Sequence, residues 1–383
     1  MKKVAIIGGG ISGLYMANLF RQNPNYEVIV FEKNNSVNLE EGYGIQLSVN
    51  SIKLLNKIGF QDVSSEEKFY PHKIDFYSLK NKKKICNLDI STFNDVENKY
   101  TTLQRLTLIN FLKSNIPKNL INYNKKVIDV KNKPKTTKVF FEDNSSIECD
   151  YLIISDGIFS KTKSLIANKE IKIKYFNSIA FRATIDRNNL NGIDRNNISL
   201  FLGSNLHSVV YPVNKNGHFN FVTILRKSLK IEELKDYSLF DSKDFISSAL
   251  MEISKQVEPN ITQNLKDIRC FPIFVSTKIF QPKNKNIFFI GDAFFAFPPT
   301  FSQGASQSIE TAYDLYKNFG NEYNQFNKKR IKRTKMIDRK SKLNYLAFHL
   351  SSPLMSLVRN FLMSYLVKNN KFINSYLGKI YRN

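Results

Sequence analysis

Val4-Ala5-Ile6-Ile7-Gly8-Gly9-Gly10-Ile11-Ser12-Gly13-Leu14 lies at the start of the chain, and its reading decides the fold. Val4–Ile7, four apolar residues in a row, predicts a buried strand, and Leu14–Gln22, stopped by Asn23-Pro24, predicts a helix. Between them the glycines keep the G-x-G-x-x-G spacing. Gly8 permits a tight turn, Gly10 lets the backbone approach a pyrophosphate, and Gly13 lets the helix lie close to the strand. The helix start, with Ile11 and Ser12, faces the anion. A second strand, Val28–Glu32, ends on an acid about 20 residues further on, placed to accept hydrogen bonds from an adenosine ribose, with Lys33 beside it. The pattern predicts dinucleotide binding. Its plainer alternative is a glycine-rich turn that packs a helix on a sheet.

Composition narrows the rest. The chain has 383 residues, 42% of them hydrophobic, enough for two or three domains and too apolar for global disorder. Its formal net charge is +24, but the lysines are scattered, with short runs such as Lys82-Lys83-Lys84 and Lys328-Lys329-Arg330. That scatter argues against a nucleic-acid partner, which needs a clustered basic face. An anionic membrane surface or an acidic substrate fits better. Cys86, Cys149 and Cys270 are too far apart for metal-ligand spacing or a disulfide framework, so no metal and a cytoplasmic location are expected. No apolar run is long enough to span a membrane.

Further along, segments 71–90 and 134–150 alternate like strands, and Asn50–Ile58 and the region from Gln303 onward read as helical. Tyr151–Ile154 and Ile287–Ile290 are short buried strands running into Asp156-Gly157 and Gly291-Asp292. Ser178–Ile185, Ile198–Leu202, His207–Pro212 and Phe219–Leu225 suggest a separate sheet. The expected architecture is α/β: a Rossmann-like dinucleotide domain with an inserted β-sheet substrate domain and a C-terminal helical tail. The first takes residues 1–70, 100–168 and 270–340, the second 71–99 and 169–269, and the tail 341–383. A single G-x-G-x-x-G argues against a second dinucleotide domain.

Four segments resemble the class A flavoprotein monooxygenases, the family of p-hydroxybenzoate and salicylate hydroxylases and of ubiquinone-pathway hydroxylases. Gly42-Tyr43-Gly44-Ile45-Gln46-Leu47 is similar to the segment bordering the isoalloxazine. Arg105, with Leu108 and Leu112, is similar to the helix whose Arg contacts FAD. Ser155-Asp156-Gly157 resembles the family's DG motif. Gly291-Asp292-Ala293, then Pro299-Thr300 and Gln303-Gly304-Ala305, resembles the segment whose Asp holds the FAD ribitol. Departures are Phe294-Phe295 for Ala-His, Ser302 for Gly, Ser306 for Asn, Ser155 for Ala and Lys163 for Arg. The helix starting near Gln303 would turn its free N–H groups toward the flavin pyrimidine edge, where reduced flavin carries negative charge.

The resemblance implies non-covalent FAD, transient docking of NADH or NADPH, and O2 captured at C4a as a hydroperoxide that hydroxylates or epoxidises a small aromatic or lipophilic substrate. A reductase or dehydrogenase on the same fold, and a non-catalytic FAD-binding paralogue, stay open. Arg182, His207 and Tyr211 are candidate catalytic groups by resemblance to the salicylate-hydroxylase substrate sheet; otherwise they are a solvated charge, a satisfied sheet histidine and a core aromatic. Leu354, Leu357, Val358, Phe361, Leu362, Tyr365 and Leu366 recur at helical spacing with Lys368, Lys371 and Lys379 nearby. This face is expected to pack on the flavin domain, with peripheral contact at the inner face of the membrane a secondary role. The protein is expected to be a monomer or homodimer.

Overall fold

The opening strand runs Lys2–Ile7 in a computed structural model that describes residues 1–36, 43–320 and 323–382, Tyr323 and Asn324 as backbone only. Gly42 of the isoalloxazine-like segment lies outside the described residues. The strand pairs in parallel with Tyr26–Phe31 and with Tyr151–Ile154, so that Ile7 stands beside both Phe31 and Ile154. The sheet's order is Ile287–Phe289, Tyr151–Ile154, Lys2–Ile7, Tyr26–Phe31, Ile121–Asn122. Parallel strands end together. The segments after Ile7, Phe31, Ile154 and Phe289, which carry the glycine loop, Glu32, Asp156-Gly157 and Gly291-Asp292, therefore gather along one sheet edge, where open α/β sheets bind ligands.

Packing explains why these strands read as unbroken apolar runs: the sheet is covered on both faces. On one face Leu14, Phe20, Leu108, Leu112, Ile309 and Leu315 of three helices, Ile11–Arg21, Arg105–Ser114 and Gly304–Lys317, meet Val4, Ile6, Val28 and Val30. On the other, Val139 and Phe141 of a three-stranded antiparallel sheet meet Ala5, Ile7 and Leu152.

A second sheet has seven strands. Its order is Lys266–Ser276, Ile173–Asp186, His218–Arg226, Leu206–Pro212, Ile198–Leu202, Lys73–Ser78, Lys83–Asp89. The four β-like runs of residues 178–225 are thus neighbours in one sheet. Its edge passes the expected boundary at residue 269, because Lys266–Ser276 pairs along the long strand from Ile173 to Thr184. The helix Lys243–Ser254, which the sequence reading did not single out, buries Phe245, Ala249 and Ile253 on this sheet's back.

The tail consists of a long helix, Tyr323–Phe348, a second, Pro353–Leu366, and short turns to Tyr381. Its end is built in: Ile373, Leu377, Ile380 and Tyr381 are buried with Phe76, Leu88 and Tyr211. The expected packing of the Leu354–Leu366 face is not met. Leu354, Leu357, Phe361 and Tyr365 are 64–74% exposed, because the helix packs through its other side, where Arg359 is buried and Met363 and Val367 join the core; Ser364 Oγ, beside the ridge, donates to the Ile85 carbonyl at 3.0 Å. Among the described residues, no helix is long and apolar enough to cross a membrane.

Candidate functional site

The glycine loop shows which positions need glycine and for whom. Gly8 has φ +106°, and a Cβ there would sit 2.5 Å from the Ser155 carbonyl oxygen; one on Gly13 would sit 2.0 Å from that of Gly8. These two glycines serve the fold. Gly10 differs: among the described residues a Cβ there would meet nothing within 4 Å, so its freedom serves something other than packing against them. Behind it the helix Ile11–Arg21 starts with no side-chain cap and no acid in its first turn, leaving its first N–H groups and positive dipole end for an anion. Glu32 is buried at the next strand end. Its Oε2 accepts from the Gly9 amide at 2.7 Å and its Oε1 from that of Asn34 at 3.0 Å, which ties the acid to the loop. Lys33 is exposed.

The DG segment braces the loop from the neighbouring strand. Ser155 Oγ donates within 2.8–2.9 Å of the Ile7 and Gly8 carbonyls, a bond that the Ala common at this position could not make. Asp156 follows, its buried Oδ1 without a partner among the described residues. Burial raises its carboxyl, opposed by the Ser160 and Thr162 hydroxyls. Gly157 adopts φ +81° with open space at its Cβ position.

Asp292 sits in the short helix Gly291–Phe294, and Gly291 is required by φ +59° and by Ser12 Oγ, 2.5 Å from where a Cβ would stand. The Asp292 side chain is solvent-accessible yet enclosed by protein mass, as expected of a group facing a cleft. Desolvation pushes its carboxyl up to about 6 against the pull of Lys163 and Arg105. Arg105 starts its helix with its amide on the Tyr43 carbonyl at 2.8 Å. Pro299–Phe301 forms a single turn, Ser302 is left-handed, and the uncapped helix Gly304–Lys317 begins after Gln303. A Cβ on Gly304 would meet nothing within 4 Å. Ala305 follows in the same first turn. Ser306, where Asn is usual, lies 3.1 Å from the Ser48 amide and 3.0 Å from Ser51 Oγ, joining this helix to Val49–Asn56.

The strand Gly44–Leu47, part of a small three-stranded sheet with Thr101–Gln104 and Lys68–Phe69, meets the seven-stranded sheet at Gly44, whose amide donates to Asn220 Oδ1 at 2.8 Å. Gln46 on the same strand accepts from Tyr100 at 2.8 Å and hydrogen-bonds Tyr211, and Tyr381 reaches Tyr100 from the tail. A cavity of about 450 Å³ opens beside Gln46. It touches Pro299–Ser302, the sheet residues Ile74, Phe76 and Leu200, and the Pro353–Leu366 helix. Among the described residues Arg359 is its one charged lining residue, with Nη1 on the Ala347 carbonyl at 3.0 Å and its other nitrogens on Asn360.

The three candidate catalytic groups separate. Arg182 lies over the Tyr43 ring at 5.7 Å, beside the sheet junction. Tyr211 is buried in the core, and burial raises its hydroxyl. His207 lines the cavity, with Nδ1 2.7 Å from His349 Nε2; desolvation pushes it down to about 3 and its partner to about 2. Both imidazoles stay neutral, each with one ring N–H, and one of them donates to the bare nitrogen of the other. A base that weak is poorly matched to taking a phenol proton near pH 7. Tyr211, held protonated, is no better. The partner His349 follows a helix 142 residues away in sequence and carried no signal of its own.

Sequence reading also missed a buried ion cluster. Glu310 bonds Arg330 at 2.7 Å and Arg333 at 2.6 and 2.8 Å, and accepts from Asn50 at 2.8 Å. Burial alone would raise Glu310, but the two guanidiniums override it and hold it at about 2. Arg333 also reaches the Lys379 and Ile380 carbonyls at 2.5 and 2.8 Å, so the cluster ties the tail's end to the helix beside the cleft.

A parallel sheet with these strand-end loops, combined with a second, mostly antiparallel sheet, is the architecture of the class A flavoprotein monooxygenases, which are FAD-dependent oxidoreductases. The sequence model described as FAD binding domain matches residues 1–339, and the chain belongs to that family. It is 22% identical over 345 residues to salicylate hydroxylase of Pseudomonas putida, covering 83% of this chain and 77% of that one. It is 22% identical over 317 residues to 3-amino-4-hydroxybenzoate 2-monooxygenase PtnB3 of Streptomyces platensis, covering 82% and 78%. HpxO of Klebsiella pneumoniae, solved with FAD and uric acid, superposes with a TM-score of 0.81 at 16% identity over 98% of this chain and 95% of that one.

Proposed function

We propose that the protein is an FAD-dependent monooxygenase that hydroxylates or epoxidises a lipophilic substrate, such as an alkyl-substituted phenol or an alkene. The overall change would be RH + O2 + NAD(P)H + H⁺ → ROH + NAD(P)⁺ + H2O for hydroxylation. The observation that carries the substrate class is the cavity. It adjoins the Gln46 and Pro299–Ser302 segments, and its single charge, Arg359, is already engaged by Ala347 and Asn360. A carboxylate substrate would have to compete for that guanidinium, whereas an apolar one gains roughly 25 cal/mol per Å² of surface buried.

The protein's own groups divide the work. The Gly10 opening, with the amides of Ile11, Ser12 and Gly13, would take the FAD pyrophosphate, and Glu32 with Lys33 the adenosine ribose. Arg105, Asp156, Gly157, Gly291 and Asp292 would hold the middle of the cofactor, the partnerless Asp156 Oδ1 being one acceptor in need of a donor. Gly44, Gln46 and the Pro299, Gln303, Gly304 and Ala305 segment would border the ring. Bound FAD supplies the redox chemistry, taking a hydride from NADH or NADPH docked transiently on its own domain and activating O2. The uncapped Gly304 helix start would favour negative charge on the reduced ring. The apolar walls exclude water, and His207 acts as a neutral hydrogen-bonding wall residue rather than a base. Arg182, over Tyr43, would position the ring segment.

The test is NAD(P)H oxidation and O2 uptake by the FAD-loaded protein with alkylphenols, alkenes and salicylate. The expected result is oxygenated product matched to O2 consumed with the lipophilic compounds, and little stimulation by salicylate. Substrate-dependent NAD(P)H oxidation that yields a reduced product without O2 uptake would replace this reading with a reductase.

A further inference from the structure

The Pro353–Leu366 helix has two apolar sides, and only one of them has a partner. Met355, Val358, Leu362 and Leu366 wall the cavity, while Leu354, Leu357, Phe361 and Tyr365 form a ridge in solvent. Met355, Val358 and Leu362, with Leu343 of the preceding helix, are 44–58% exposed and line the cavity as well. The mouth of the cavity therefore opens within the exposed apolar face. Contiguous apolar surface of this kind marks an interaction site.

Charge identifies the occupant. From Arg339 to the end, the sequence holds Arg339, Lys340, Lys342, Arg359, Lys368, Lys371, Lys379 and Arg382 and not one Asp or Glu. Arg339, Lys368, Lys371, Lys379 and Arg382 are exposed, as is Lys342, whose charge Asp338 offsets at 2.6 Å. A second copy of the chain on the same face would set these cations against one another, whereas an anionic lipid leaflet attracts them. The helix has 14 residues, too short to span a bilayer but suited to lying in the plane of its interface.

We propose that this face docks on an anionic membrane leaflet, with Leu354, Leu357, Phe361 and Tyr365 in the headgroup–acyl boundary and the cavity mouth facing the lipid. The lipid-facing mouth deepens the proposed lipophilic substrate class and rests on it; the docking does not, and its test reads binding without turnover. An inactive hydroxylase that binds vesicles thus sinks only the reaction.

The chain has no tryptophan, so Phe361→Trp installs a single reporter in the full-length, FAD-loaded protein. On vesicles of equal phosphatidylglycerol and phosphatidylcholine its emission should move to the blue and be quenched by acyl-brominated lipid. On pure phosphatidylcholine, or as salt rises, the effect should fade. Each basic side chain near an anionic leaflet is worth about fivefold in affinity, so K368E/K371E should weaken binding by thirtyfold or more. L357S/F361S should keep FAD and its melting temperature but lose vesicle binding. The proposal is overturned if the reporter stays in water on anionic vesicles, or if L357S/F361S binds them as well as the parent. It is equally overturned if ultracentrifugation shows a dimer that L357S/F361S dissociates, since the occupant is then a second copy.

Discussion

Asp292 and the His207–His349 pair show what single residues are asked to do. The Asp292 carboxyl is pushed up to about 6 by desolvation, so it is ionised at neutral pH and available to accept hydrogen bonds in the cleft. Replacing Asp292 by Ala should weaken FAD binding tenfold to a hundredfold, since a hydrogen bond to a charged group is worth about 1.5–3 kcal/mol. Equilibrium dialysis against FAD measures it, and unchanged affinity would remove Asp292 from the cofactor site. The histidine pair makes a prediction about acid stability. Both rings are held far below their ordinary 6.5, so as pH falls the unfolded chain takes up protons that the folded one refuses. Stability contributed by neutral burial is complete above pH 6.5 and declines down to about pH 3. The slope approaches 1.4 kcal/mol per pH unit for each ring. Urea unfolding at pH 7 and pH 5.5 should show this loss, and His207→Leu combined with His349→Phe should flatten it.

Elements meet through groups of mixed origin. Glu310 on the Gly304–Lys317 helix joins two arginines of the long helix, one of which holds the Lys379 and Ile380 carbonyls. Glu310→Gln would leave the buried Arg333 without its counter-ion and Arg330 with only Asp314, 3.4 Å away, and breaking a buried pair in this way costs about 3–5 kcal/mol. A fall of that size in chemical denaturation is expected, with part of the loss recovered when the arginines are also removed. The end of the tail is a structural element in its own right. Deleting residues 370–383 removes Ile373, Leu377, Ile380 and Tyr381 from the core, each worth about 1.5–3 kcal/mol when buried. That sum rivals the net stability of about 5–15 kcal/mol typical of a domain. The truncated chain should aggregate or fail to retain FAD; a soluble, yellow product would show that the tail's packing is dispensable.

At the scale of the whole molecule, the proposed cofactor contacts come from residues 8–13, 32–33, 44–46, 105, 156–157 and 291–305, drawn together by the parallel sheet and by the Gly44–Asn220 junction. A ligand held by so many distant segments binds the folded state and not the unfolded one. FAD at a hundredfold excess over its dissociation constant should therefore add about 2.7 kcal/mol to stability and raise the thermal midpoint. A midpoint indifferent to added FAD in apo-protein would contradict the site. Eight of the chain's Lys and Arg residues, and no acid, fall in the final 45 residues, where the apolar ridge also lies.

The sequence alone determined the parallel sheet and its strand-end loops. Val4–Ile7, Tyr151–Ile154 and Ile287–Ile290 are short runs with a single plausible fate, and a glycine loop needs its residues at fixed local spacing. Such signals are local, because hydrogen-bonded turns and helix starts span only a few residues. Gly8 and Gly13 were legible for the same reason, although only the packing showed that they serve the fold while Gly10 serves the cleft. Tertiary structure decided everything that depends on which distant residues meet. It set His349 against His207, placed Lys266–Ser276 in the larger sheet, and buried Arg330 and Arg333 while leaving their lysine neighbours in water. It also decided that the tail's last turns pack and that the ridge from Leu354 to Tyr365 does not. Helical periodicity reveals that a face is apolar; what covers that face depends on the chain's path in space, which spacing along the sequence does not encode.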